Sequence, residues 1–176
     1  MQIFAEVTQK FESALIKPIR FRLGFISDRV SNMHSDKLLF LDFDGVLHSV
    51  VANKQELFSK APLLSNFLSA NPCEIVISSS WRLHFSLDAL KERLQPPFAN
   101  LIVGQTGPRE TGRWSRFTEI NNYISKNSPQ ANWRALDDSI KDFPIDCPEL
   151  IHCDPYEGIT EKEIILLSNW IGSRDP

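Results

Sequence analysis

The chain has 176 residues, of which 42% are apolar, and its 19 basic and 22 acidic residues give a formal net charge of −3. This length and balance are typical of one globular domain and exclude the strongly basic surface of a protein that coats nucleic acid. No apolar run approaches the roughly 20 residues of a transmembrane helix, so we predict no membrane span.

Residues 1–36 differ in pattern from the rest of the chain. Apolar residues follow helical spacing at first and alternate after Pro18, which predicts a short amphipathic helix and then an irregular apolar segment. We therefore predict an N-terminal extension over residues 1–36 and the main domain over residues 37–176. Met33 lies shortly before the first strong strand and is an alternative start of the protein.

Features that would direct the chain out of the cytoplasm are few. Glu6 and Glu12 interrupt the N-terminal apolar residues, so the continuous apolar core of a secretory signal is missing. The three cysteines are odd in number and form no CxxC pair, which favours reduced thiols over a disulfide framework. We predict a cytoplasmic protein without membrane contact or a stable protein partner.

From Lys37 onward, short apolar runs alternate with helical patterns. Strands are predicted at Leu38–Leu41, Glu74–Ile77, Leu101–Val103, Trp133–Leu136 and Leu150–Ile151. Helices are predicted near 57–69, 83–94 and 117–124, and after the capping box Thr160-x-x-Glu163. This alternation predicts an α/β fold, a three-layer Rossmann-like sandwich with a mostly parallel central sheet. Ligands of such folds bind beyond the carboxyl ends of the strands.

The first predicted strand ends in two carboxylates. Asp42 and Asp44 project to the same side because side chains alternate on a strand, and Gly45 frees the backbone to turn away. Two carboxylates this close repel each other, and a cation between them favours their ionised forms. Oxygen ligands of this kind suit Mg²⁺, although an Asp-Gly pair is also common in plain solvated turns.

Two further strand ends carry polar groups. Ser78-Ser79-Ser80 follows the second strand and offers hydroxyls and backbone amides to an anion, although a serine there can also be an ordinary helix cap. Asp137-Asp138 follows the fourth strand and is a second carboxylate pair that needs a counter-charge. The combination of three such strand ends favours a functional site over three unrelated turns.

These residues resemble the motifs of the haloacid dehalogenase (HAD) superfamily of phosphohydrolases. Its first, second and fourth motifs are similar to Leu39–Val46, Ile75–Ser79 and Ala135–Asp138. The third motif is a single basic residue, for which Arg116 fits best and Arg113 is the alternative. Ser80-Trp81-Arg82 and Asp154–Thr160 are also similar to one branch, the HAD domain of Swiss-army-knife RNA repair proteins.

The resemblance implies two-step phosphoryl transfer with Mg²⁺ as cofactor. Asp42 would be the nucleophile that forms an aspartyl-phosphate, and Asp44 the general acid and base. The metal would be held by Asp42, by the backbone carbonyl of Asp44 and by Asp138, with Asp137 sharing this role or orienting bound water. Ser79 and Arg116 would hold phosphate oxygens, with Ser78 as the alternative serine.

Four residues near these motifs are candidates for weaker roles. Arg82 and Arg113 are possible substrate contacts, and a solvated arginine is the alternative for both. His48 is either a substrate contact or an ordinary loop histidine. Trp81 is interpreted as a packing residue rather than as a platform for base stacking.

The spacing between the motifs leaves no room for a large inserted cap domain. The resemblance therefore implies a capless enzyme with an open site, which favours a bulky phosphate ester such as an RNA or DNA end. A small phosphorylated metabolite is the first alternative substrate. A HAD-fold binding or regulatory module without turnover is the second alternative function.

Overall fold

The computed structural model of the protein describes residues 37–94 and 96–173. The predicted N-terminal extension over residues 1–36 and the alternative start at Met33 both lie outside the described residues. The described residues therefore all belong to the predicted main domain.

Five parallel strands form the central sheet of the described domain. They are β1 Lys37–Leu41, β2 Glu74–Ile77, β3 Ile102–Gln105, β4 Asn132–Asp137 and β5 Leu150–His152. Their order across the sheet is β3-β2-β1-β4-β5, and every neighbouring pair is parallel. The predicted α/β fold with a mostly parallel sheet is confirmed, and the first strand of the sequence lies at its centre.

Helices cover both faces of this sheet. They are α1 Ala61–Ala70, α2 Leu87–Leu94, α3 Ser115–Asn127 and α4 Glu161–Gly172. Helices α1, α2 and α4 bury residues such as Leu64, Leu90 and Leu167 against one face. Helix α3 buries Ile120 and Ile124 against the other. Each fully buried side chain of this size contributes about 1.5–3 kcal/mol to folding, so both faces are held by substantial apolar cores.

The helix predicted over 83–94 is divided in the structure. Ser80–Leu83 forms a 3₁₀ turn, and the α-helix begins only at Leu87. Ser86 interrupts the pattern because its hydroxyl accepts a hydrogen bond from the Ala89 amide at 3.3 Å and so caps the new helix. Leu83 is consequently 39% exposed instead of extending the buried stripe.

The helix predicted near 57–69 also begins later than expected. Helix α1 begins at Ala61, with Pro62 in its first turn, where a missing backbone N–H removes no intrahelical bond. The preceding residues form a series of turns. The predicted capping box of α4 is confirmed, since Thr160 and Glu163 make both of its reciprocal hydrogen bonds.

The strand order places the candidate site residues together. The chain moves outward from β1 through β2 to β3 and then returns to β4 on the other side of β1. Ligand sites of open parallel sheets lie at such a reversal, beyond the carboxyl ends of the strands. Here that point is between the ends of β1 and β4, next to Asp42 and Asp137. None of the helices in the described ranges is long and apolar enough to cross a membrane.

Candidate active site

The sheet hydrogen bonding continues past the strand ends and orients the polar residues there. The Asp42 amide donates to the Leu136 carbonyl at 3.0 Å, and the Ser78 amide donates to the Leu41 carbonyl at 3.0 Å. Strand alternation then directs the side chains of Asp42, Ser78 and Asp137 to the face that α3 covers. The predicted meeting of three strand ends is therefore present in the fold.

Three carboxylates converge at the reversal of strand order. Oxygen atoms of Asp42, Asp137 and Asp138 all lie within 4.8 Å of one another. Burial, and after it the charge of Asp42, raises the pKa of Asp137 well above its usual range, and the same two causes raise the pKa of Asp138. Burial and the charge of Asp42 thus disfavour the ionised forms of Asp137 and Asp138, and the hard oxygen atoms of the three carboxylates are the donor set that a Mg²⁺ ion would fit.

Gly45 allows the turn after β1 to lie against the end of β4. Its φ of +68° belongs to the left-handed region, and a Cβ atom at this position would overlap the carboxylate of Asp138. Glycine is therefore needed here both for backbone conformation and for space. The residue brings the first motif and the Asp137-Asp138 pair into direct contact.

Asp44 is held by two donors, His48 and Trp81, whose contacts with it the sequence patterns did not predict. Its Oδ1 lies 3.1 Å from Nε2 of His48, and its Oδ2 accepts a hydrogen bond of 2.9 Å from Nε1 of Trp81. The Phe58 amide donates to Nδ1 of His48 at 3.4 Å, which leaves Nε2 as the hydrogen-bond donor to Asp44. The hydrogen bond from His48 is the largest cause of a lowered pKa at Asp44, acting against partial burial.

Burial and packing fix the two donors. His48 is only 2% exposed, and its ring makes edge contacts with the rings of Phe58 and Trp81. Trp81 packs in addition on Phe43 and Phe85. The prediction of Trp81 as a packing residue was incomplete, because its indole N–H also holds Asp44. No periodicity indicates these contacts; the only sequence signal is the position of each residue directly after a motif.

The serines after β2 have different partners. The Oγ atom of Ser79 accepts a hydrogen bond of 3.4 Å from the Trp81 amide and caps the 3₁₀ turn. Ser78 is fully buried, and its Oγ atom has no hydrogen-bond partner among the described residues. A buried hydroxyl without a partner costs free energy, so Ser78 is the serine whose hydroxyl remains available to a ligand.

Arg116 reaches the carboxylates from the start of α3. Its Nη1 lies 3.2 Å from Asp137 Oδ2 and its Nη2 lies 3.5 Å from Asp42 Oδ2. Burial alone would lower the pKa of Arg116, but the charges of Asp42 and Asp137 more than offset it, and the pKa is raised. Arg113 is exposed and lies over the Trp114 ring at 4.4 Å instead.

Arg82 is turned inward, and its whole guanidinium group contacts the protein. Its Nη1 donates to the carbonyls of Ser78 and Ser79 at 2.7 and 2.9 Å. Its Nε donates to the Gly107 carbonyl at 3.0 Å, and its Nη2 lies 2.6 Å from Glu119 Oε2. A substrate contact through Arg82 stays a prediction; the contacts present give it the role of fixing the backbone after β2.

Comparison with known families agrees with this geometry. Residues 38–164, more than two thirds of the chain, match the family described as the HAD domain in Swiss Army Knife RNA repair proteins. The chain belongs to this family. No curated protein and no solved structure matches it. The predicted resemblance to HAD-like hydrolases is thereby confirmed, and the domain is of the type found in HAD phosphatases.

Proposed function

We propose that this HAD domain is a Mg²⁺-dependent phosphatase that removes a phosphate from a nucleic-acid end or another bulky ester through an aspartyl-phosphate. The observation that supports this most is the environment of Asp42. Its carboxylate, 6% exposed at the end of the central strand, lies among Asp137, Asp138 and the guanidinium group of Arg116. A carboxylate able to act as nucleophile, further carboxylates able to bind a metal ion and a guanidinium group able to donate hydrogen bonds to an anion thus lie next to one another.

The metal would be held by Asp42 and Asp138, with Asp137 as a further ligand or as an acceptor for bound water. The family resemblance adds the backbone carbonyl of Asp44. When bound, Mg²⁺ supplies positive charge that reduces the repulsion between a carboxylate nucleophile and a phosphate anion. The mutual repulsion of the three carboxylates supports this assignment, because a divalent cation would relieve it.

In the first step, the Asp42 carboxylate attacks phosphorus and the bond from phosphorus to the leaving oxygen breaks. Asp44, in its protonated form, gives a proton to that oxygen, so the product leaves as an alcohol. The approaching phosphate dianion favours this protonated form, because a nearby negative charge raises the pKa of a carboxyl group. His48 and Trp81 fix the orientation of the Asp44 carboxylate.

In the second step, Asp44 removes a proton from a water molecule that attacks the phosphorus of the aspartyl-phosphate. The bond between phosphorus and Asp42 breaks, which regenerates the carboxylate and releases inorganic phosphate. The low pKa of Asp44 in the free protein suits this step, since an ionised carboxylate is the form that accepts a proton.

Phosphate oxygens would be held by Arg116 and a serine hydroxyl. The free hydroxyl of Ser78 favours this residue over Ser79, which the motif register had favoured and whose hydroxyl already caps the turn before Trp81. Preorganised donors of this kind stabilise the charge that develops on the phosphoryl group.

The described residues contain no inserted cap domain between the motifs. The interval from Asp44 to Ser78 holds turns, α1 and β2, and the interval from Ser79 to Arg116 holds two 3₁₀ turns, α2, β3 and the start of α3. A site without an inserted cap among the described residues admits a bulky ester, and the family description refers to RNA repair. RNA or DNA ends are therefore the proposed substrates. The three cysteines are all free, which supports the proposed cytoplasmic location.

The decisive variant is Asp42→Asn, assayed with p-nitrophenyl phosphate in Mg²⁺ and again in EDTA. We expect the native protein to be active with Mg²⁺ and inactive in EDTA, and the folded variant to lose turnover by at least about 1,000-fold. Asp88→Asn, an exposed position on α2, is the matched control and should keep full activity. Retained activity in Asp42→Asn would contradict the mechanism.

A substrate panel then separates the remaining alternatives. Oligonucleotides with 3′- or 5′-phosphates should be hydrolysed with higher kcat/KM than phosphosugars. Preference for the phosphosugars would favour a metabolite phosphatase. Absence of turnover on every ester, with retained phosphate binding, would favour a non-catalytic module.

A further inference from the structure

A polar pocket of about 380 Å³ adjoins the candidate active site on the side of Arg116. Arg109 from the loop after β3 and Lys141 from the turn after β4 line it, together with Arg116 and Ser115 of α3. The pocket shares Arg116 with the candidate active site, so the two adjoin at this residue.

Two cations of this pocket have no ion-pair partner among the described residues. Arg109 and Lys141 are exposed, and neither forms an ion pair within the part of the chain that the structure describes. The carboxylates of the pocket have partners of their own. Glu119 faces Arg82 and Arg116, Glu110 accepts from Asn122 at 3.0 Å, and Asp142 accepts from two serines. Four cationic and three carboxylate side chains line the pocket, and this excess of one positive charge attracts an anion.

Buried polar groups hold the backbone that carries Arg109. The Gly107 carbonyl accepts from Nε of Arg82 at 3.0 Å, and the Glu110 amide donates to Oε1 of Glu119 at 3.0 Å. Arg82 and Glu119 are 7% and 5% exposed and form an ion pair with each other. Arg109 lies between these two anchors, so its main chain is fixed although its side chain reaches solvent.

The backbone that carries Lys141 is fixed in a similar way. Asp142 follows it and accepts hydrogen bonds from Ser115 Oγ at 3.0 Å and from Ser139 Oγ at 2.7 Å. These bonds join the turn to the start of α3, close to Arg116. The two free cations thus project from fixed backbone, which lowers the entropy cost of binding compared with cations on mobile loops.

We propose that this pocket binds the phosphodiester next to the terminal phosphate of a nucleic-acid strand, and that Arg109 and Lys141 contact its oxygen atoms. This inference rests on the proposed function, in which the terminal phosphate lies between Asp42 and Arg116. The side chains named above as lining the pocket are charged or hydroxyl-bearing, which suits a phosphate and its sugar better than a base. The pocket would therefore select strands over mononucleotides without reading their sequence.

The test compares Arg109→Ala and Lys141→Ala with Lys126→Ala, an exposed lysine at the other end of α3. The substrates are an RNA pentamer with a 3′- or 5′-terminal phosphate, a nucleoside 3′,5′-bisphosphate and p-nitrophenyl phosphate. For the preferred pentamer, each pocket variant should raise KM about tenfold and lower the slope of log KM against log salt by about 0.7, the value for one lost contact on a single strand. Turnover of p-nitrophenyl phosphate and the Lys126→Ala control should be unchanged.

Three results would overturn the proposal. Unchanged KM for the pentamer would show that the pocket does not bind the strand. An equal loss of catalytic efficiency with p-nitrophenyl phosphate would mean that the substitutions disturb the active site itself. A loss of catalytic efficiency only with the nucleoside bisphosphate would mean that the pocket binds a small metabolite.

Failure of the pocket can be distinguished from failure of the phosphatase assignment. Binding of a fluorescent phosphorylated pentamer, measured by anisotropy in EDTA, requires no turnover. Tight binding that weakens in both pocket variants would support the subsite even if no ester is hydrolysed. Binding that is equal in all variants would overturn it even if hydrolysis is efficient.

Discussion

The imidazole Nε2 of His48 donates a hydrogen bond of 3.1 Å to Oδ1 of Asp44, the carboxylate that we assign as general acid and base. Because Trp81 donates to the other oxygen, both oxygens of Asp44 are held by side chains that pack on each other. The carboxylate has little freedom to rotate away from a substrate. In the proposed mechanism, His48 and Trp81 are therefore positioning residues, which act on the reaction through Asp44.

Replacement of His48 should affect esters with poor leaving groups most. An alkoxide must be protonated as it leaves, whereas p-nitrophenolate leaves without help, so a displaced Asp44 matters mainly for the former. In His48→Ala we expect kcat for an alkyl phosphate to fall about 100-fold, and kcat for p-nitrophenyl phosphate to fall much less. Steady-state kinetics on a series of leaving groups measures the difference.

Conservative variants separate this role from a structural one. His48→Gln can still place an N–H near Oδ1 and should recover a substantial part of the lost activity. Trp81→Phe keeps an aromatic ring but removes the donor to Oδ2, so it should show the same dependence on the leaving group in weaker form. An equal loss on every ester would mean that these residues only stabilise the fold.

Ser78 and Ser79 should respond differently to alanine substitution. If the free hydroxyl of Ser78 binds phosphate, Ser78→Ala should lower kcat/KM about 10- to 100-fold, the value of a hydrogen bond to a charged group. Ser79→Ala removes the weak cap of a 3₁₀ turn. It should lower the free energy of unfolding and leave the affinity for phosphate unchanged. Inhibition by inorganic phosphate, measured for both variants, checks this. The reverse pattern would restore Ser79 as the phosphate ligand.

Gly45→Ala should weaken metal binding as well as folding. A Cβ atom there overlaps the Asp138 carboxylate, and the left-handed backbone costs a non-glycine residue about 1–2 kcal/mol. We expect a higher Mg²⁺ concentration for half-maximal activity and a lower midpoint of urea unfolding. Gly172→Ala is the control, since a Cβ at that helical position meets nothing within 4 Å. An unchanged Mg²⁺ requirement in Gly45→Ala would contradict Asp138 as a ligand.

The buried pair of Arg82 and Glu119 should be costly to break. Glu119→Gln leaves the Arg82 guanidinium without its carboxylate in an environment where burial already lowers the pKa of Arg82. We expect a loss of about 3 kcal/mol in the free energy of unfolding, from urea denaturation at pH 7. Glu161→Gln, on the exposed surface of α4, should change stability by less than about 0.5 kcal/mol. Similar effects of both changes would show that the pair contributes little.

The α4 capping box gives a pH-dependent prediction away from the site. Burial tends to raise the pKa of Glu163, but hydrogen bonds from the Thr160 hydroxyl at 2.6 Å and its amide at 2.9 Å lower it overall. A carboxyl group with a lowered folded-state pKa stabilises the protein above its unfolded pKa, and this contribution is lost as the pH falls through the folded value. The stability difference between the native protein and Glu163→Gln should therefore shrink below about pH 4.

Thr160→Ala should lower the free energy of unfolding by about 1 kcal/mol at pH 7, the usual effect of losing a helix cap. Thermal unfolding of these two variants across a pH series provides the measurement. A difference for Glu163→Gln that stays constant down to pH 3 would contradict the lowered pKa.

The sheet and the carboxylates were predictable because they depend on local patterns. Each strand is a short apolar run, and strand ends of a parallel sheet must meet at one edge, so Asp42, Ser78 and Asp137 could be placed together before the fold was known. The position of Arg116 followed from the family motif. These features need no knowledge of side-chain packing.

The contacts of His48, Trp81 and Arg82 were not predictable because they depend on how loops fold back. The apolar stripe that begins at Leu83 predicts a continuous helix, but Ser86 starts a new one and the 3₁₀ turn before it aims Trp81 at Asp44. Hydrophobic periodicity carries no information about such turns. The choice between Ser78 and Ser79 likewise depends on which hydroxyl the turn has already used.

The central place of β1 also affects when the site can exist. Its neighbours β2 and β4 begin far along the chain, at Glu74 and Asn132, and each joins β1 by parallel pairing. Contacts between such distant segments form late, because long stretches of chain must be ordered before they are made. A nascent or truncated domain that lacks β4 would have the nucleophile but neither Asp137 nor Asp138. If the proposed function holds, phosphatase activity would therefore report that β1 and β4 have paired, and folding intermediates without this pairing would be inactive.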